Sequence, residues 1–235
     1  MTIIGDEYSL LNNNIKEAKD IMLQQLKNMW GGITNKEKYI IDKSLNDVIE
    51  RCLRCFRHIN NKYYNKGENV IFSATHSCQY TFFLYFISNT IYNCPENSEG
   101  KFNILCDKIY MLIKIIAGCD LYYQINLPNV FSFDHPVGTV LGRAQYGEYF
   151  AFAQNCTVGN NNGEYPIFGS RVVLNSGCTV LGNSRIGSNV ILGANTYILD
   201  MDIPDNSIVY GENPRNITIV HDENKIKKIL ENYYK

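Results

Sequence analysis

One histidine and two aspartates in the middle of the chain are residue types that could carry out acid–base chemistry. His135 directly follows Asp134, and Asp120 precedes both. Of the four histidines, only His135 lies between Asp120 and Ile203. A lone histidine is often structural, but imidazole is also the side chain best suited to proton transfer near neutral pH. The acidic neighbour and the irregular sequence around it make His135 a candidate general base.

The elements that must position this histidine are indicated by a repeat of six residues. A period of six fits neither an α-helix, at 3.6, nor a strand, at 2. It is typical of a parallel β-helix of short rungs, in which one apolar residue per rung points inward and glycines occupy sharp bends. We predict coils from Asp120 to Ile203. The positions that lead each hexad are Phe168, Leu174, Val180, Ile186, Leu192 and Ile198.

Before Phe168 the repeat is less regular but still visible. Four extra residues interrupt it within the segment Gly159–Pro166. A repeat that loops out once usually does so on its binding face, so we expect this segment near a ligand. The pattern fades after Pro204, where we predict that the coils end. The earlier apolar positions, spaced six apart, are Val140, Tyr146, Phe152 and Val158.

The first half of the chain is predicted to be helical. An amphipathic pattern predicts a helix over Ile15–Trp30, which Gly31 and Gly32 end. Thr34 and Glu37 form a T-x-x-E capping box that opens a second helix. Further helices are predicted over residues 78–92, 102–117 and 223–234, with loops over 60–68 and 95–100. The fold class is therefore α+β, with a helical domain over residues 1–118 and a β-helix domain with a terminal helix over 119–235.

Composition narrows the class of protein. The net charge of −1 over 235 residues argues against a general nucleic-acid binder. No apolar run in the sequence reaches membrane-spanning length, and the first residues lack the basic start and apolar run of a signal peptide. The eight cysteines lack the spacing of a small disulfide scaffold and are expected to be reduced thiols. These features favour a cytoplasmic protein.

The motifs of the second half, taken together, resemble one known family. They are FDHPVG at 133–138, QNCTVG at 154–159, the hexads, and GENPR at 211–215. Their order and nearly all of their spacing are similar to those of the serine acetyltransferase family. The likeness runs from Gly118 to Arg215, with one residue missing near Gln145, and it keeps the spacing from Asp120 to His135. It implies a left-handed β-helix and transfer of an acetyl group from acetyl-CoA to a hydroxyl.

The resemblance also implies roles for individual residues. The catalytic base falls on His135, the carboxylate that orients it on Asp120, and an acceptor-binding carboxylate on Asp134. Gln154 opens the second of the shared motifs and is assigned to substrate binding. Acetyl-CoA is expected along the coil edge, with no metal ion. Its binding residues are predicted to be Gly159, Ser176 and Ala194, with Arg215 near a phosphate.

The expected assembly is a homotrimer with each active site between neighbouring coils. The resemblance implies this arrangement, and the helical half is a candidate for joining two trimers. A physical reason points the same way, because one narrow prism has little interior and its flat faces need partners.

One departure from the family concerns the acceptor. Where the family has an Arg-His pair, this chain has Glu164 and Tyr165. An arginine would hold the carboxylate of serine by paired, charge-assisted bonds, whereas Glu164 would repel it. We therefore expect a sugar or nucleotide-sugar hydroxyl, used in surface polysaccharide synthesis, with Glu164 and Tyr165 in the substrate site. The alternative is L-serine, as in cysteine biosynthesis, with Arg143 holding its carboxylate.

Other classes of function are weighed against this one. A non-catalytic trimeric scaffold would need neither the Asp–His pair nor a CoA site. A zinc lyase would need three histidine ligands in the coils, and a nucleotidyltransferase a glycine-rich phosphate loop after a strand. Cys52, Cys55 and His58 have a zinc-like spacing but lie on a predicted helix without a second ligand pair. Cys156 is a candidate acyl-carrying nucleophile, although buried packing is favoured for it and for Cys178.

Overall fold

The computed structural model describes the chain from Ile3 to Lys235, with side chains described from Leu11 onward. The chain divides into two compact units. The division differs from the predicted single boundary at Gly118, because residues 58–61 belong to the second unit. The first unit extends to Arg57 and resumes over Lys62–Ala117, and the second comprises His58–Asn61 and Gly118–Lys235.

Helices make up most of the first unit. Helix α3 is central to it, because every residue from Cys78 to Asn89 is buried. Two short strands form a hairpin that begins within the predicted loop 60–68 and ends just after it, and Pro95–Gly100 forms a 3-10 helix. Helix α1 begins well before the predicted Ile15. The elements are α1 (Ile3–Trp30), α2 (Asn35–His58), β1 (Asn65–Lys66), β2 (Asn69–Val70), α3 (Ser77–Asn93) and α4 (Asn103–Ala117).

The predicted signals at the α1–α2 junction are confirmed. The Thr34 N–H donates to Glu37 Oε2 at 2.6 Å, and the Glu37 N–H donates to Thr34 Oγ1 at 3.2 Å. This reciprocal pair is a capping box, which satisfies amides that the first turn of a helix leaves free. Gly31 and Gly32 both have positive φ and end α1.

The second unit is a parallel β-helix with three faces. Its strands are β3 (Asp120–Leu121), β4 (Phe131–Phe133), β5 (Val140–Leu141), β6 (Phe150–Phe152), β7 (Thr157–Gly159), β8 (Ile167–Phe168), β9 (Val173–Leu174), β10 (Thr179–Leu181), β11 (Arg185–Ile186), β12 (Val190–Leu192), β13 (Tyr197–Leu199), β14 (Ser207–Tyr210) and β15 (Thr218–Val220). One face has the order β13-β10-β7-β5-β3, and another has β14-β12-β9-β6-β4 with β15 added antiparallel. Strands β8 and β11 pair on the third face, and helix α5 (Glu223–Tyr233) follows.

The repeat of six residues predicts the interior of this β-helix correctly. Three hexads complete one coil, so Leu174 pairs in register with Leu192. The four extra residues are also accommodated as predicted, because Val158 pairs with Val180 across the interruption. The residues that lead the hexads are at most 3% exposed, and they are Phe168, Leu174, Val180, Ile186, Leu192 and Ile198.

Two details of the predicted coils are wrong. Val140, which was assigned to the interior, is 43% exposed, and Leu141 is the buried residue that pairs with Val158. The shift arises because Leu141 and Val158 are separated by one residue fewer than a regular coil contains. The coils also continue beyond Pro204, because β14 pairs in parallel with β12.

Tight turns stack on one edge of the β-helix, which we call the first edge. Its turns are residues 135–139, 153–155, 175–177 and 193–195. Gly138 and Gly177 both have a φ of 75°, and a Cβ on either would lie 2.2 Å from Oδ1 of the asparagine in the next coil, Asn155 or Asn195. Glycine is needed at both positions, because a side chain would meet strain and a clash.

The described residues contain neither a candidate membrane span nor a cluster of metal ligands. No helix over residues 3–235 has the length and apolar character to cross a membrane. The predicted absence of a signal peptide concerns a stretch whose first two residues lie outside the described range. Cys52 and Cys55 are fully buried, and all eight cysteines are free thiols. Within the described range, no group of three or more His, Cys, Asp or Glu side chains could hold a metal ion.

Candidate active site

His135 lies on the first edge, in the tight turn that leads into β5. Its φ is 48°, and its carbonyl accepts a hydrogen bond of 2.7 Å from the Val137 N–H. The Asp134 N–H donates to Phe152 O at 3.2 Å, which ties the start of the turn to the next coil. Both side chains, Asp134 and His135, are exposed. The turn therefore presents an acid and an imidazole together on the outer surface.

Asp120 lies on the strand that neighbours this turn. Strand β3 pairs in parallel with β5, so that Asp120 is opposite Val140. The Asp120 N–H donates to Thr139 O at 2.7 Å, and the Gly138 N–H donates to Gly118 O at 2.8 Å. Two backbone bonds thus join the strand that carries Asp120 to the turn that carries His135. Asp120 is partly exposed, and the structure brings the two predicted residues to one end of the β-helix.

The first edge continues from the His135 turn through other predicted site residues. The Asn155 N–H donates to Val137 O at 2.9 Å, and the Gly177 N–H donates to Gln154 O, also at 2.9 Å. The Asn195 N–H donates to Ser176 O at 2.9 Å. Gln154 and Ser176 are half-buried and Ala194 is exposed. Three predicted substrate or CoA residues, Gln154, Ser176 and Ala194, therefore lie in successive coils along one edge.

Of the two other predicted CoA residues, Gly159 lies away from this edge and Arg215 lies beyond the last coil. Gly159 ends β7, at the opposite end of the strand from the first edge, and a Cβ on it would lie 3.1 Å from Leu181 Cδ2. Arg215 is exposed beyond the last coil, and its guanidinium lies 3.4 Å from Glu212 Oε2. The structure of one chain does not bring Gly159 together with Ser176 and Ala194.

The extra segment after Gly159 forms a tight hairpin. The backbones of Asn161 and Glu164 exchange two hydrogen bonds of 3.0 Å, and the two residues between them, Asn162 and Gly163, have positive φ. These are features of a type I′ turn. Asn161 Nδ2 also donates to Asp200 Oδ2 at 2.6 Å, which anchors the hairpin to another coil.

The hairpin lies at a second edge, formed with the turns at Gly182 and Asp200. Glu164 is exposed and Tyr165 is half-buried there. The strands of the five-stranded face run from the first edge to the second, and β7 spans three residues, or about 10 Å. Within one chain, the structure therefore does not bring Glu164 and Tyr165 to His135.

The thiols of the coils are buried and protonated. Burial raises the pKa of the Cys156 thiol and raises the pKa of Cys178 to about 12. Cys156 Sγ donates to Asn175 O at 3.2 Å, and Cys178 Sγ donates to Gly193 O at 3.1 Å. A buried thiol without a nearby cation is a poor nucleophile. The packing role predicted for both cysteines fits this geometry.

Some residues of the site were not found from the sequence. Asn161 and Asp200, which fix the hairpin, are 39 positions apart, and no local pattern links them. Thr139 follows the His135 turn and is 1% exposed. A signal for Thr139 does exist, because it occupies the same place in its coil as Cys156, Cys178 and Thr196.

Two grooves of the second unit lie outside this site. One, of about 530 Å³, runs between α5 and a column of residues that includes Tyr149 and Arg171. The other, of about 550 Å³, lies on the face of β8 and β11. Neither is lined by His135 or Asp120. The side chains of His135 and Asp120 instead lie at the surface of the single chain.

No profile of a known protein family matches the chain. Curated proteins do match part of it. A serine acetyltransferase of Synechococcus elongatus is 31% identical over 105 residues, which cover 43% of this chain and 43% of that protein. A serine acetyltransferase of Helicobacter pylori is 27% identical over 125 residues, covering 51% of this chain and 72% of that protein. The chain thus spans less than half of the first relative and more than two thirds of the second.

Solved structures share the architecture at greater length. A serine acetyltransferase in complex with CoA has a TM-score of 0.62 at 17% identity, over 94% of this chain and 100% of that one. The soybean serine acetyltransferase apoenzyme has a TM-score of 0.59 at 18% identity, over 92% of this chain and 98% of that one. At these identities the likeness shows the fold, a helical region followed by a left-handed parallel β-helix. In part of its sequence and in its fold, the chain is therefore similar to serine acetyltransferases, with the hexapeptide repeats of a left-handed β-helix.

Proposed function

We propose that the protein is an acetyl-CoA-dependent O-acetyltransferase in which His135 is the general base. The observation that carries this proposal is the bonding of the Asp120 strand to the His135 turn at the edge of a β-helix of this kind. His135 takes the proton of the acceptor hydroxyl as its oxygen attacks the thioester carbonyl. The carbon–sulfur bond then breaks, the acetyl group stays on the oxygen, and the thiolate of CoA leaves and receives the proton.

The two carboxylates have different roles in this scheme. Asp120 orients the imidazole and stabilises its protonated form during attack. Asp134, exposed beside His135, binds a polar group of the acceptor. A base positioned in this way contributes about 10²–10⁴-fold to the rate.

Acetyl-CoA is proposed to lie along the first edge. Gln154, Ser176 and Ala194 follow one another along this edge, starting beside the His135 turn, so that an extended molecule could contact all three. Arg215 carries a positive charge beyond the last coil and suits a phosphate of CoA. No metal ion takes part in the scheme, and a cytoplasmic location, favoured by the free thiols, belongs to the proposal.

The acceptor that we propose is L-serine. The curated relatives are named serine acetyltransferases, and none of the comparisons supports the sugar acceptor or the polysaccharide role expected from Glu164 and Tyr165. Arg143 is an exposed cation close to β3, where its Nη2 donates to Gln124 Oε1 at 3.0 Å. It is the proposed partner of the serine carboxylate, in place of the basic pair that the hairpin lacks.

A homotrimer completes this proposal. His135 and Asp134 are exposed in the single chain, and the hairpin of the same chain lies about 10 Å away along β7. A neighbouring β-helix packed against the five-stranded face would cover the first edge and exclude water from it. It would also offer its own second edge, with Gly159, Glu164 and Tyr165, to the His135 of its neighbour.

The test is a panel of acceptors. Purified protein is given acetyl-CoA with L-serine, D-serine, L-homoserine, simple sugars or sugar nucleotides, and the free thiol of CoA is measured. We expect saturable CoA release with L-serine and little with the other compounds. CoA release with a sugar nucleotide and none with L-serine would overturn the proposal that L-serine is the acceptor. No acceptor-dependent release, with a folded protein that fails to bind CoA, would overturn the acetyltransferase itself.

A further inference from the structure

We propose that Thr139 is a positioning residue that holds His135 and Asp120 in one arrangement. The inference rests on the proposed acetyl transfer, in which these two residues act together. Thr139 is itself almost completely buried, at 1% exposure, so it is placed to act on the acceptor only through its neighbours. Its backbone and its hydroxyl bond to three different segments of the site.

The backbone of Thr139 joins the turn to the strand. Its N–H donates to Pro136 O at 3.0 Å and closes the turn that begins at His135. Its carbonyl accepts the Asp120 N–H at 2.7 Å. The position of Thr139 therefore sets the relative position of the two residues that are proposed to share a proton-transfer task.

The hydroxyl of Thr139 fixes that position against the next coil. Oγ1 donates to Ala153 O at 2.7 Å and accepts the Cys156 N–H at 3.1 Å. Ala153 and Cys156 flank Gln154, which is proposed to bind substrate. One buried side chain thus ties the strand of Asp120 and the turn of His135 to the coil of Gln154.

A hydroxyl is required for this role, and a side chain of the same shape without it is not sufficient. Valine would fill the same space but would remove the side-chain partner of the Cys156 amide, which is buried, and of the Ala153 carbonyl. A buried polar group that loses its partner is costly, so the turn is expected to shift. Proton transfer and attack are sensitive to displacements below 1 Å, with losses of the order of 10²-fold.

Ser184 provides a matched control. Its Oγ donates to Leu181 O at 2.8 Å and accepts the Met201 N–H at 3.2 Å, and it is also 1% exposed. Its hydroxyl therefore donates and accepts as that of Thr139 does, with one bond inside its own turn and one to the next coil, at a turn that does not carry His135. Ser184→Ala should cost stability, as Thr139→Val does, without changing the environment of His135.

The experiment compares Thr139→Val, Thr139→Ser and Ser184→Ala by two readouts. The first is the ring signals of His135 in protein with isotope-labelled histidine, identified by their loss in His135→Asn. The second is steady-state kinetics, in which the change in kcat is compared with the change in the KM for acetyl-CoA. We expect Thr139→Val to shift the His135 signals and to lower kcat roughly 10- to 100-fold, with the KM for acetyl-CoA nearly unchanged. Thr139→Ser should restore both, and Ser184→Ala should change neither.

The proposal is overturned if Thr139→Val leaves the His135 signals and kcat unchanged, or if Ser184→Ala changes them as much. Should Thr139→Val not fold, Thr139→Ala is judged by the same two readouts. The nuclear magnetic resonance readout does not need turnover. A protein that transfers no acetyl group but shows the expected signal shifts would refute the proposed function while supporting the positioning role.

Discussion

His135 and Asp120 carry the proposed chemistry at the surface of the β-helix, while Thr139, Cys156 and Cys178 in its interior are buried and uncharged. The turn of His135 is held by backbone bonds from Val137 and Thr139, and the Asp120 amide is bonded to that same turn. The cysteines below, Cys156 and Cys178, contribute packing and weak sulfur–carbonyl bonds. Acid–base chemistry is therefore assigned to exposed groups, and thiol chemistry is not needed.

The first prediction concerns these thiols. Burial raises the pKa of Cys156 and raises that of Cys178 to about 12, so both stay protonated at pH 8, and only the thiolate reacts. A thiol reagent at pH 8, followed by mass spectrometry of peptides, should leave both unlabelled in the folded protein. Cys94, whose pKa burial also raises but whose thiol is half-exposed, is the internal control for access of the reagent. All three should be labelled in denaturant, and rapid labelling of Cys156 in the folded protein would contradict the assignment.

Among the secondary-structure elements, the hairpin at 161–164 depends on one carboxylate. Asp200 accepts from Asn161 Nδ2 at 2.6 Å through Oδ2 and from the Asn183 N–H at 2.7 Å through Oδ1. Because Glu164 belongs to this hairpin and Tyr165 directly follows it, Asp200 is expected to control how they meet the acceptor. Its contribution is to the geometry of binding and leaves the proton transfer at His135 unaffected.

The second prediction tests this anchor. Asp200→Asn offers one acceptor oxygen instead of two and tolerates the positive φ of this position, so the hairpin loosens without loss of the coil. The KM for the acceptor should rise severalfold, with kcat and the KM for acetyl-CoA nearly unchanged. Asp202→Asn is the control, because Asp202 makes one such bond, from the Arg185 N–H at 3.2 Å, which asparagine can keep. Equal effects of the two variants would contradict the role of Asp200.

The elements were predictable where the pattern is local. The hexads fix which residues point inward, because one apolar residue per rung must be buried, and Leu174 and Leu192 duly pair in the interior. Val140 was misassigned because the count of six was carried through Gln145, near which the family resemblance indicates one missing residue. His135 was indicated by its residue type and acidic neighbour, and the resemblance to a family motif supplied its pairing with Asp120. The bond between Asn161 and Asp200 joins positions 39 apart, and only the folded coil brings them together.

The molecule as a whole leaves its proposed site incomplete in a single chain. The first edge carries His135, Gln154, Ser176 and Ala194, whereas Gly159 and the hairpin lie at the far end of the same strands. A second copy on the five-stranded face would bring these two sets together. Catalysis is thus expected to require assembly, because neither set alone encloses an acceptor and a thioester.

The third prediction is that the protein is a homotrimer and that its sites are shared. Sedimentation analysis at micromolar concentration should give a trimer or a multiple of three. In addition, subunits with His135→Ala and subunits with Asp200→Asn should form mixed trimers when they are refolded together. Some sites of these trimers combine the intact His135 of an Asp200→Asn subunit with the intact hairpin of a His135→Ala subunit. Turnover at low acceptor concentration should then exceed the sum of the two variants refolded separately. A monomer with full activity would contradict the shared site.

The central claim, that His135 is the general base of an acetyl transfer, is tested most directly by one comparison. CoA release from acetyl-CoA with L-serine is measured for the wild type and for His135→Ala, with CoA binding followed in parallel by calorimetry. We expect the variant to bind CoA as the wild type does and to lose at least about 100-fold in kcat, the range expected for a positioned base. Turnover of the variant at the wild-type rate would contradict it.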